Sequence, residues 1–337
     1  MGDVTPRTLP PLSDVLPSAH VVALPLVTRF RGVTVREALV FEGPEGWTEF
    51  SPFVEYDDAE AATWLAAALD FGWNATPAAQ RTSIAVNATV PAVTEDDVPA
   101  VLARFPGCRT AKVKVAERGQ TLADDVARVR AVRAAWGPEG RIRIDANGAW
   151  NLDEAEQALH ALAPFDLEYA EQPCASVPEL AELRRRVAYM DVPIAADESV
   201  RKATDPLAVA RAGAADLLVV KAAPLGGVRR ALEIVRAAGL PAVVSSALDT
   251  SIGLSMGLAL AASLDTLDYD CGLGTAALLA ADVTREPLLP RAGSLPVGRV
   301  EVDPDLLRAH AASPERTAWW RSRLERCYSI LTEDPAG

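Results

Sequence analysis

The strongest constraint on this chain is a rhythm. Short apolar runs end in a charged or hydroxyl residue at Asp145, Glu171, Asp197, Lys221 and Ser245, a step of 24 to 26 residues each time. Runs of this kind read as strands: Ser83–Asn87, Ala111–Val115, Arg141–Asp145, Leu167–Glu171, Pro193–Asp197, Leu217–Lys221, Ala242–Ser246 and Leu267–Cys271. Between them, residues 121–136, 151–162, 178–189, 205–212, 227–238 and 251–264 carry helical spacing, and 89–104 is a poorer helix. Strands alternating with helices predict α/β architecture with parallel strands. An open doubly wound sheet would gather its functional residues at one switch point. Here polar residues cap many strands, which favours a barrel. The period is structural, since the segments do not repeat in sequence.

The rest of the chain divides around that core. Residues 1–85 predict a small α+β unit: strands around Val33–Val35 and Ala38–Phe41, a turn at Gly43–Gly46, and a helix over Ala59–Phe71. Residues 86–288 are the barrel. Residues 289–337 form a Pro-rich tail with a last helix at Pro314–Leu324, expected to pack back on the first unit.

Charge and cysteines narrow the partners. The formal net charge is −13, which argues against nucleic acid and anionic lipid as ligands. An anionic small molecule stays open, because a local cation overrides the global field. Residues 1–15 lack a basic segment followed by an apolar one, and Ile252–Leu264 is too short to span a bilayer. Cys108, Cys174, Cys271 and Cys327 form no CxxC pair and predict a reduced, cytoplasmic thiol set rather than a disulfide framework. His20, His160 and His310 give no zinc spacing. The acidic surface and modest exposed apolar content fit a monomer.

The ionisable residues at the strand ends carry the chemistry. Each alone reads most simply as a helix cap or a solvated loop residue; Asn151 and Glu154, for instance, are spaced as a capping box. Together they converge. Asp145, Glu171 and Asp197 end three consecutive strands, and three anions at a barrel mouth are too costly without a cation. All-oxygen ligands with open positions suit Mg²⁺, with Mn²⁺ the alternative. Lys112 and Lys114 lie two apart in AKVKV, so they share one strand face, and Lys221 comes from the other side. A lysine beside a divalent ion and a second lysine has its ammonium disfavoured, which moves it toward a base. The implied reaction is proton abstraction next to a carboxylate.

The motifs KVK (112–114), DANGAW (145–150), EQP (171–173), ADES (196–199) and VVKAAPLGG (219–227) resemble the enolase superfamily, muconate-lactonizing subgroup. The resemblance covers nearly the whole chain. It implies a (β/α)7β TIM-like barrel under an α+β capping domain built from both termini, and Mg²⁺ on Asp145, Glu171 and Asp197. It implies Lys114 and Lys221 as the acid/base pair, Glu198 outside the metal's direct ligands, and Asn147 as an orienting residue. Within the superfamily, residues 30–53, 168–184 and 245–262 are similar to actinobacterial o-succinylbenzoate synthases. That family implies a lyase of menaquinone biosynthesis dehydrating a succinyl hydroxycyclohexadiene carboxylate, with Lys114 taking the α-proton and Lys221 staying a cation beside the ring. Thr48 stands where that family's pattern has a small Gly. An N-acylamino acid or dipeptide racemase, a muconate cycloisomerase and a non-catalytic scaffold are the competing readings.

Other features divide between bland and sharp. Ser245, Ser246, Gly274 and Thr275 sit where hydroxyls and backbone could meet substrate; strand-end polarity is the alternative. Gly272–Ala277 mimics a dinucleotide fingerprint but closes the βα series instead of opening it. Arg29 and Arg31 read as surface residues that could close over an anion. Trp319 and Trp320 read as packing, Arg184–Arg186 as a solvated face, and Cys174 as a thiol with nothing to activate it.

Overall fold

The computed structural model describes residues 9–202 and 205–333, so the first half of the N-terminal segment judged above for targeting signals lies outside the described residues. It begins with three antiparallel strands, β1 (His20–Phe30), β2 (Val33–Gly43) and β3 (Gly46–Phe50), in the order β1-β2-β3. The helix Asp58–Trp73 follows, capped by the Asp57 side chain, which accepts from Glu60 N–H. It lies so close to β2 that a Cβ on Gly43 would come within 2.2 Å of Gly72 O. Thr48 presses its methyl toward the same Gly72, so the departure at position 48 is absorbed by the absence of a side chain at 72.

Next come β4 (Ser83–Ala85), β5 (Ala88–Val90), β6 (Thr110–Lys114), β7 (Arg141–Asp145), β8 (Leu167–Glu171), β9 (Ile194–Ala196), β10 (Leu217–Val220) and β11 (Ala242–Val244), and then β12 (Ser294–Pro296). Strands β5 to β11 form one parallel sheet in chain order. Parallel bridges Ser245–Gly272 and Val86–Cys271 close it into the expected TIM-like barrel.

Two strand boundaries are corrected. The first run lies too early: its start, β4, pairs antiparallel with β12, Val86 only bridges Cys271, and the strand that joins the barrel ladder is β5, just beyond the run. The eighth run, Leu267–Cys271, is not a regular strand and pairs only through Cys271 and its neighbour Gly272. Asp268 and Asp270 are poor strand residues, and Asp270 is drawn off to Thr110 and Arg141, both at 2.6 Å. The helices at 122–136, 152–162, 228–238 and 251–263 keep their expected extents, while 177–186 stops three residues early. Capping boxes open three of them, at Thr121, Asn151 and Ser176. The 89–104 helix shrinks to Val98–Leu102 behind β5, and the 205–212 helix to Ala208–Arg211.

Inside the barrel the side chains lie in layers. Arg143 points inward two residues before Asp145 and is fully buried. Its guanidinium pairs with Glu168 and donates to Asp270 O (2.6 Å). It also lies 4.8 Å from the Tyr169 ring centroid and 5.8 Å from that of Tyr269.

The last helix, Pro314–Glu333, runs well past its expected end. It packs on the first unit in a core of Phe41, Phe50, Phe53, Trp64, Trp320 and Leu324. Phe50 and Trp320 meet edge to face at 5.9 Å. Glu37 on β2 accepts from Arg316 (2.6 Å) and from Trp320 Nε1 (2.8 Å). The four cysteines are free and buried. Burial pushes each thiol up to about 12, Cys174 included, so none is an activated nucleophile. Among the described residues, no helix is long and apolar enough to cross a membrane.

Candidate active site

The parallel ladder puts the strand ends in register. Lys114 pairs with Asp145, and Asp145 with Glu171, at one level of the mouth. Asp197 follows β9 and Lys221 follows β10 directly. Lys112 Nζ bridges Asp145 Oδ2 (2.9 Å) and Glu171 Oε1 (2.5 Å). Lys114 Nζ donates to Asp145 Oδ2 (2.5 Å) and Asn147 Oδ1 (2.8 Å). Lys221 Nζ pairs with Asp197 Oδ2. Three carboxylates and three ammoniums thus interlock where they are almost completely shut off from water.

Burial sets the electrostatics and the pairing modifies it. Asp145 loses solvation, but Lys112 and Lys114 outweigh that and hold it well below the carboxylate range. Asp197 is lowered in the same way by Lys221 and Arg201. Glu171 goes the other way, up to about 8: burial and the nearby Asp145 charge exceed the help from Lys112. Lys112 is raised despite burial, because Asp145 and Glu171 surround it. Lys221 is lowered, through burial first, with Arg201 and Lys112 adding to it against Asp197.

The surrounding residues orient this cluster. Asn147 sits at φ +49°, takes Lys114's proton donor on its Oδ1 and donates Nδ2 to Glu198 (3.2 Å). Glu198 is held by Arg201 (2.6 Å) and does not line the cleft, whereas Asp197 does. Gln172, at φ +39°, accepts from Asp197 N–H (2.9 Å) and Ser199 N–H (3.2 Å), fixing the turn that presents Asp197.

The cleft above is lined by Lys114, Asp145, Asp197 and Lys221 from below, and by Phe30, Arg31 and Phe53 from the first unit. Ser245, Ser246 and Thr275 reach it, and Ser246 Oγ lies 2.7 Å from Thr275 Oγ1. Gly274 does not line it: it opens a short 3₁₀ turn packed against Asn87 O and Phe105. Phe30, Phe53, Thr89 and Leu248 are lining residues that sequence reasoning missed. Arg31 lies 4.6 Å over the Phe53 ring, and its φ of +48° at the β1–β2 turn had no distinguishing signal in an Arg-Gly pair.

As the side chains lie, no three carboxylate, imidazole or thiolate groups among the described residues close on one ion. The ammoniums of Lys112 and Lys221 take the carboxylate oxygens instead. The donor set nevertheless fits a hard divalent cation: three oxygen anions at neighbouring strand ends, with Glu171 Oε2 buried and lacking any hydrogen-bond partner.

Comparison with known proteins places the fold and the family. Residues 99–303 match the family described as enolase C-terminal domain-like, and residues 21–72 the enolase N-terminal domain-like family. The o-succinylbenzoate synthase of Mycobacterium marinum is 56% identical over 327 residues, covering 97% of each chain. That of Mycobacterium leprae is 55% identical, covering 96% of this chain and 95% of its own. Among solved structures, the muconate lactonizing enzyme of Pseudomonas fluorescens bound to muconolactone superposes with a TM-score of 0.74 at 20% identity, covering 88% of this chain and 98% of its own. The N-succinyl Arg/Lys racemase of Bacillus cereus superposes with a TM-score of 0.72 at 18% identity, covering 87% and 96%.

Proposed function

The chain belongs to the enolase superfamily, alongside the o-succinylbenzoate synthases, and we propose from that premise that it is a lyase forming o-succinylbenzoate. Its substrate is 2-succinyl-6-hydroxy-2,4-cyclohexadiene-1-carboxylate. The C1–H bond breaks, the C6–OH bond breaks, water leaves and the ring becomes aromatic. The observation that carries this reading is the placement of two lysines on either side of one cleft: Lys114 at the end of β6 and Lys221 just after β10.

Lys114 Nζ takes the α-proton and passes it to the departing hydroxyl on the same face, a syn elimination. Asn147 and Asp145 aim that nitrogen through the hydrogen bonds it makes to them. Lys221 stays a cation beside the ring and stabilises the negative charge that proton removal leaves. Asp145, Glu171 and Asp197 would hold Mg²⁺, or Mn²⁺ in its place. When bound, the ion offsets the charge that builds on the substrate carboxylate. Lys112 locks Asp145 and Glu171 in place, and Ser245, Ser246 and Thr275 offer hydroxyls to the substrate. The protein acts in the cytoplasm as a monomer on a small anionic molecule.

The test is loss of the cyclohexadiene's ultraviolet absorbance with purified protein, with Mg²⁺ and with a chelator. Rapid loss that needs the metal is expected. No loss in either condition, with deuterium exchange into N-acylamino acids instead, overturns the lyase and establishes a racemase on the same lysine pair.

A further inference from the structure

The first unit and the barrel meet at a second buried polar cluster, beside the site but outside its chemistry. Glu49 is the penultimate residue of β3 and is 3% exposed. Its Oε2 accepts from Thr250 Oγ1 (2.5 Å), Thr250 N–H (3.1 Å) and Gly253 N–H (3.1 Å). Its Oε1 accepts from Ser51 Oγ (2.5 Å). Glu49 therefore caps the helix 251–263 across the interface, supplementing Thr250, whose hydroxyl accepts from Ile252 N–H (3.1 Å). A Cβ on Gly253 would lie 2.9 Å from the Glu49 carboxyl, so the glycine leaves room for it. Arg36 grips the same loop from the other side, donating to Leu248 O (3.2 Å), and within its own unit donates to Ser51 Oγ (3.0 Å). Leu248 itself sits at φ +62°, a conformation that a leucine holds only when its surroundings impose it.

The loop so clamped, 245–250, forms one wall of the cleft through its residues 245–248. Its first two residues are tied to the barrel, Ser245 directly after β11 and Ser246 through N–H to Gly272 O (3.1 Å), but among the described residues the stretch beyond Ser246 has no ladder partner. We infer that Glu49 is a positioning residue: from the cap it pins the far end of the 245–250 loop, whose near end the barrel holds, so that Ser245 and Ser246 meet the substrate in one place. The inference rests on the proposed reading of those serines as substrate contacts. Its consequence is a split in kinetics. Losing the clamp loosens ground-state binding and leaves the proton-transfer groups where they are.

The experiment compares wild type, Glu49→Ala and Glu49→Gln, all assayed well below their melting temperatures. Gln keeps an acceptor for Thr250 and Gly253. Glu49→Ala should raise KM about tenfold or more with kcat within about threefold, and Glu49→Gln should restore KM to within about threefold of wild type. Thr250→Val, which keeps the fold if Glu49→Ala does not, should raise KM by a smaller factor. Native-state hydrogen exchange reads the clamp without substrate: the Thr250 and Gly253 amides should exchange at least tenfold faster in Glu49→Ala. A lower melting temperature with unchanged KM and unchanged exchange at those amides overturns the inference and makes Glu49 merely structural. Equal loss in the Gln and Ala variants also overturns it, because charge rather than the hydrogen bonds would then be what matters. Absence of turnover by wild type with faster exchange in Glu49→Ala defeats the proposed reaction and keeps the clamp.

Discussion

Two layers of charge lie inside one barrel, a strand repeat apart. Arg143 and Tyr169 form the lower one, and Asp145 and Glu171, two residues on, the upper. In the lower layer the cation is enclosed by its carboxylate, a carbonyl and two aromatic rings. In the upper layer anions crowd together, Glu171 is pushed up to about 8 by burial and by its neighbour Asp145, and one of its oxygens has no partner. Burial is similar in both. What differs is access: the floor, where one Arg143 nitrogen also lacks a partner, is closed inside the barrel, whereas Lys114, Asp145, Asp197 and Lys221 of the mouth line a cleft open toward a ligand.

That contrast can be broken or sharpened by experiment. Lys114→Ala should cut kcat about 10²–10⁴-fold with circular dichroism and metal binding intact; activity near wild type would remove it as the base. Arg143→Met should do the reverse, costing about 3–5 kcal/mol in denaturant unfolding, because Glu168 loses its buried partner. Its metal titration should match wild type. Mg²⁺ at a hundredfold its Kd should stabilise wild type by about 2.7 kcal/mol in thermal shift, and Asp197→Asn should lose most of that; an unchanged titration in the variant would transfer the ligand role to Glu198. Away from both layers, Glu37→Gln should cost only about 1 kcal/mol at pH 7, since its pair with Arg316 is partly exposed. Burial pushes the Glu37 carboxyl up, but hydrogen bonds from Arg316 and Trp320 outweigh that and hold it below its ordinary value. Its contribution is therefore present above about pH 4.5 and is lost as the pH falls below that. Wild type and variant should converge there, read by tryptophan fluorescence against denaturant.

The sequence made the upper layer legible because its members recur at a fixed period and are chemically alike. A charged residue ending an apolar run is cheap to detect, and the barrel follows from the same rhythm. The lower layer was not legible: Arg143 in RIRID has the alternation of an ordinary strand with polar residues outward, and only closure of the barrel turns it in. Strand β1 was missed because Pro25 interrupts it: regular pairing to β2 runs from His20 to Pro25, and the register shifts before it resumes at Phe30. The eighth barrel strand was over-read: Asp270 gives its carboxylate to Thr110 and its backbone carbonyl to Arg143, not to a ladder. Glu49 was invisible as an interface residue because its partners are some 200 positions away.

The same long separations bear on when the protein becomes whole. Glu37 near the start meets Arg316 and Trp320 near the end, 279 and 283 positions apart. A nascent chain can form the βα units in order as they leave the ribosome. The roof over them is different. Its core includes Trp320 and Leu324, so it waits for the last stretch of synthesis. A truncated product therefore carries the strand-end lysines and acids but lacks the lid's last support, and translation itself sets the order in which scaffold and enclosure arise.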